Sequence, residues 1–238
     1  MAQLPILQRM DQHIQEWQAG GDRRAIFLAC YRIMTDNMLT ALGKREFADT
    51  AWVNRLLHHF ADYYFHALEH FEANGPKTPA VWRFAFEAAT KKETAALQDL
   101  LLGVNAHINF DLVLTLHDLL HADWGRLTAD QRSQYYNDYC FVNTIISRTI
   151  DTVQDQVLEP AQPSMRLVDD LMGRVDEWLL GRMITHWRDE VWRHACLLLD
   201  TASSDVKTEI IQTVEHHALR RADAIAGKIW PLQLRAIL

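Results

Sequence analysis

The chain has 238 residues, of which 49% are apolar and 23% charged, enough to bury a core without disulfides or metals holding it together. Nine glycines and six prolines are too few for an all-β fold, a collagen-like repeat or a glycine-rich phosphate loop. A net charge of −7 leaves no basic footprint for nucleic acid, and no unbroken apolar run approaches the roughly 20 residues of a membrane span.

Apolar residues recur at helical spacing along nearly the whole chain, and no convincing alternating strand interrupts them. The first predicted helix covers about Leu4 to Ala19 and stops at Gly20-Gly21. The second runs from an Asp22 cap to Leu42, with Gly43 closing it. A third spans Thr50 to the stop signal Asn74-Gly75-Pro76, and a short fourth follows Thr78-Pro79. Thr90-Lys91-Lys92-Glu93 reads as a capping box opening a fifth helix over residues 91–123, with Gly103 its soft point. Thr128 and Gln131 form a second box for a sixth helix ending at Pro160. The seventh and eighth are expected from Ser164 to Asp200 and from Ser204 to Ala226. Short connections and an even composition predict one all-α domain over 1–238, a bundle of about eight helices. Cys30, Cys140 and Cys196 form no CxxC pair and no signal pattern opens the chain, so the expected setting is reduced and cytoplasmic.

The fifth helix is apolar nearly all round, which predicts a central, buried position. Yet on a helical wheel His107, Asp111, Asp118 and His121 share one stripe of it. His107 and Asp111 are i,i+4 neighbours. Buried carboxylates are rare unless paired or bound to a metal. The stripe therefore predicts a wet cavity, an ion site or a hydrogen-bond network that only fixes the core.

Residues 102–112, Leu-Gly-Val-Asn-Ala-His-Ile-Asn-Phe-Asp-Leu, resemble the G-M-N-A-H-I-N-x-D-L signature of a bacterial family of helical proteins catalogued as a domain of unknown function. Phe47-Ala48-Asp49, Phe60-Ala61-Asp62-Tyr63-Tyr64, Ala80-Val81-Trp82 and Phe141-Val142-Asn143 are similar to other stretches of that family. The resemblance covers about residues 25 to 195 and implies an all-α fold without an established reaction. Its motif falls on Asn105, His107, Asn109 and Asp111.

His107 and Asp111 could hold one cation between them, and His186 with Glu190 repeats the spacing, followed by His194. With His117 ten residues beyond His107, the arrangement resembles in spacing the zinc ligands of phospholipase C and the S1/P1 nucleases, without a counterpart of their N-terminal tryptophan ligand. A zinc site would draw on His107, Asp111, His186 and Glu190 and leave one position for an activated water. A di-iron carboxylate site is disfavoured, because no glutamate has histidine three residues later.

Helix three carries His58, His59, His66, Glu69 and His70 opposite a clean apolar stripe, which predicts a solvated face, with Asp62 the exception to watch. Asn143, Ser147 and Asp151 resemble the second magnesium motif of terpene cyclases, but the motif's acidic second position and an upstream aspartate-rich partner are missing.

Three functions follow. The first is an enzyme for metal-assisted hydrolysis of an ester or phosphoester, with His107 and Asp111 catalytic. The second is a metal-free acid/base enzyme, a cyclase or isomerase acting on an apolar biosynthetic intermediate. The third is a non-catalytic module binding a ligand or partner. Asn105, Asn109, Asp118, Trp82 and Asn143 are the candidate substrate contacts. A small-molecule substrate, no nucleic acid and no membrane span complete the expectation.

Overall fold

Apolar residues spaced three and four apart fold this chain into helices, and the computed structural model describes residues 5–91, 94–161 and 174–227. In chain order the elements are α1 (Ile6–Gly20), α2 (Arg24–Gly43), α3 (Thr50–Glu72), α4 (Ala80–Thr90) and α5 (Ala96–Ala106). A π-helical turn, His107–Asp111, joins α5 directly to α6 (Leu112–Leu120). After a 3-10 turn at Trp124–Arg126 come α7 (Ala129–Val153), a second π-helical turn at Gln154–Leu158, and the short α8 (Glu159–Ala161). Helices α9 (Arg174–Asp200) and α10 (Ser204–Ala226) complete the bundle, and no strand occurs among the described residues. The protein is all-α.

Capping chemistry sets several boundaries. Asp49 accepts from Trp52 N to start α3. Thr128 and Gln131 form the reciprocal box that opens α7, and Ser203 caps α10. One expected box does not form. Thr90 is the last residue of α4, where its hydroxyl donates to the Glu87 carbonyl at 2.7 Å. The central helix starts instead at Ala96, with the Gln98 side chain accepting from Ala95 N. Glu93 and the expected start at Ser164 lie outside the described residues.

The run Ala96–Leu120 is long and apolar enough to cross a membrane, but 78% of its most hydropathic window is buried in the protein. It packs against α2, α3, α4, α9 and α10, the central position its sequence predicts. Gly103 permits a close approach of α2 to it. A Cβ there would lie 2.4 Å from the Phe27 ring on α2, so only glycine lets that ring seat against the helix. The core around it is aromatic, with Trp82, Trp52 and Trp187 buried to 1% exposure or less.

The π turn overturns part of the wheel. It adds one residue to a turn, rotating everything beyond by about 100° relative to a continuous α-helix. Asp118 is consequently exposed, where it accepts from Tyr63 (2.7 Å) and lies 3.3 Å from His59. His121 is exposed as well. Of the four stripe residues only His107 and Asp111 are buried.

Candidate active site

Both members of the buried pair come from the π turn. His107 Nδ1 lies 2.9 Å from Asp111 Oδ2, and the side chains are 4% and 1% exposed. Trp82 on α4 donates its indole N–H to the same oxygen at 2.8 Å. Indole is a donor only, so Oδ2 accepts from Trp82, and with Asp111 as carboxylate it accepts from His107 Nδ1–H as well. That places the imidazole proton on Nδ1 and leaves the lone pair on Nε2. Neither His107 Nε2 nor Asp111 Oδ1 has a hydrogen-bond partner among the described residues.

Aromatic rings fix the imidazole. Phe60 stacks on it with centroids 3.5 Å apart and planes 7° from parallel. Tyr31 meets it edge-on at 4.4 Å, and Phe27 packs at 5.9 Å. Burial among these rings pushes the imidazole well below its ordinary pKa. It also pushes the Asp111 carboxyl well above the carboxylate range, against the opposing pull of the Trp82 N–H. Tyr31 is driven up by burial and secondarily by the Asp111 charge, so its phenol stays protonated.

His107 stands on the wall of a cavity of about 200 Å³ between α2, α3, α5, α7 and α9. Tyr31, Phe60, Leu101, Ile146 and Ile184 represent its apolar lining, and both π turns contribute to it, through His107 and Gln154. Nδ1 faces Asp111, so Nε2, itself almost wholly buried, is the ring nitrogen left without a protein partner among the described residues. No aspartate or glutamate is among the described wall residues.

The other expected site residues are dispersed. Asn105 donates to the Ala218 carbonyl on α10 and accepts from Asn109, so this fully buried amide pair ties the central helix to its neighbour. Trp82 serves Asp111 rather than the cavity. Asp118 belongs to a surface cluster with His59, Tyr63 and His117. Asn143 accepts from Arg188 Nε at 2.7 Å, while Ser147 and Asp151 are exposed. His58, His66, Glu69 and His70 form the solvated face their stripe predicts, and Asp62 is half-buried.

The four expected zinc ligands do not form one donor set. His186 and Glu190 are 3.9 Å apart, with the imidazole 44% exposed and the carboxylate held by Arg221. Among the described residues no group of three or more histidine, cysteine, aspartate or glutamate side chains converges. His107 and Asp111 spend their facing atoms on each other, which fits proton transfer better than a three-ligand metal.

Three residues of the site escaped the sequence reading. Phe60 and Tyr31 look like ordinary core aromatics by pattern. Arg188 carries a readable signal, as the lone cation in the apolar line Ile184, Val191 and Ala195.

Fold and site together define an all-α protein with an aspartate-oriented histidine on the wall of an apolar cavity. The chain belongs to a family of unknown function, DUF5995, which it matches over residues 5–228. No curated protein and no solved structure matches it significantly.

Proposed function

We propose that this protein is a metal-free acid/base enzyme that isomerises or cyclises an apolar small molecule. The observation carrying this reading is the His107 Nε2 lone pair, unpartnered, on an imidazole whose Nδ1–H is held by Asp111 at the cavity wall. Nε2 removes a proton from substrate carbon, and the electron pair left behind shifts within the substrate. With Asp111 ionised, the pair changes from a buried anion to an ion pair of zero net charge, which offsets the penalty that burial alone places on imidazolium. The Phe60 face lies against the cation as it forms. The proton then returns to a different atom of the substrate, so mass is unchanged. Tyr31, still protonated, is a hydrogen-bond donor on the same wall.

Hydrolysis at zinc has less support, for want of a third converging donor among the described residues, and with His117 drawn toward Lys207 at 3.4 Å. The test is incubation of the protein with an apolar small-molecule extract, followed by mass spectrometry before and after EDTA treatment. The expected result is a mass-neutral conversion that survives EDTA and disappears in His107→Gln. Conversion that persists in His107→Gln overturns the reading. Cleavage that requires metal restores hydrolysis, and tight binding without turnover favours the binding module.

A further inference from the structure

The cavity holds a second polar feature, on the opposite side of the chain's logic from the dyad. Arg188 on α9 lines the same wall and is 4% exposed. Its Nε donates to Asn143 Oδ1 and its Nη2 to the Tyr139 carbonyl, both at 2.7 Å, and its guanidinium carbon lies 4.1 Å from the Tyr139 ring centroid. All of these partners are neutral. Among the described residues no group engages Nη1, and no carboxylate is within ion-pairing reach. A buried guanidinium without an anion is unfavourable, because its lost hydration is only partly replaced by neutral acceptors.

We infer that the cavity takes an amphipathic monoanion, a hydrocarbon body ending in a carboxylate that Arg188 receives on its unused Nη1 edge. Charge sets the head group. Arg188 and His107 are the only basic residues on the described wall, and burial keeps His107 neutral. One cation matches one negative charge, whereas a diphosphate would bury charge that nothing on the wall offsets. Composition sets the body, since almost all of the remaining wall is aliphatic or aromatic carbon. The inference names the substrate class for the site proposed above and rests on that reading. The carboxylate at Arg188 would then present the hydrocarbon to the His107 wall.

The experiment is calorimetric titration of the full chain with decanoate and with 1-decanol, which share a body and differ in the head. Decanoate is expected to bind more tightly by roughly ten- to a hundredfold, the range of a hydrogen bond to a charged group. Arg188→Met should bring decanoate down to the decanol value and leave decanol unchanged. His107→Gln should bind decanoate as the wild type does, which separates failure of anion binding from failure of catalysis. If Arg188→Met does not fold, the wild-type pair of titrations decides alone. Equal affinity for the two probes, no binding of either, or decanoate binding unchanged in Arg188→Met would overturn the inference.

Discussion

Two pairs in this molecule share one spelling, a histidine followed four residues later by an acid, and they meet opposite fates. His107 and Asp111 lie on the central helix, 2.9 Å apart and almost wholly buried. His186 and Glu190 lie on α9, 3.9 Å apart, and the glutamate is already occupied by Arg221. Spacing gives both pairs the chance to interact. Environment decides what the interaction does. In water a charge is cheap and the pair is a surface contact worth little. Among aromatic rings every proton carries a large electrostatic consequence, and the imidazole becomes a tool.

The largest effects are expected from breaking the buried pair. His107→Gln should lower turnover by on the order of a hundred- to ten-thousandfold, the usual contribution of a positioned base. His186→Gln should leave turnover unchanged in the same assay. Equal losses in the two variants would erase the distinction between the pairs. Asp111→Asn tests the charge alone. Trp82 N–H forces the amide oxygen into the place of Oδ2, which keeps the imidazole tautomer and removes the anion that supports imidazolium. Activity should fall about a hundredfold or more, with the melting temperature at or above that of the wild type.

The pH dependence gives that second expectation its sign. The Asp111 carboxyl is raised above its ordinary 3.8, so the unfolded chain releases a proton there that the folded chain retains. The stability it contributes is complete below 3.8 and is lost as pH rises through the folded value. Asp111→Asn removes this loss. His107 is lowered below its ordinary 6.5, so its contribution is present above 6.5 and declines as pH falls below it. Thermal melts of His107→Gln should show a flatter acid limb than the wild type, and an unchanged limb would place that histidine in water.

Smaller effects test the scaffold around the pair. Gly103→Ala drives a methyl group into the Phe27 ring and should destabilise by about 1–3 kcal/mol, read from denaturant midpoints. Trp82→Phe removes one N–H from Asp111 and should cost about 1–3 kcal/mol unless the carboxyl protonates. Glu190→Gln, in the half-buried counterpart, should change stability by about 1 kcal/mol.

Much of this was legible before any coordinates, and the failures share a cause. The last helix, Ser204–Ala226, and the Thr128 box follow from local rules that read only neighbouring residues. The burial of His107 and Asp111 was legible too, because the helix around them has no polar face large enough to meet solvent. The π turn was not. It adds a residue to one turn without any composition signature, and the misplacement of Asp118 and His121 follows from that single shift. Arg188 illustrates the other limit. Its position in an apolar line could be read, but its neutral partners among the described residues depend on what α7 presents to it. Thr90 failed as a cap for a plainer reason, since α4 reaches it first.

Nitrogen-15 NMR of the His107 ring bears most directly on whether this molecule holds a base ready for substrate. At neutral pH the ring should be uncharged, with its proton on Nδ1 and a bare Nε2, and Asp111→Asn should preserve that tautomer. A proton found on Nε2, with Nδ1 bare, would leave no lone pair at the cavity and would contradict the proposed chemistry.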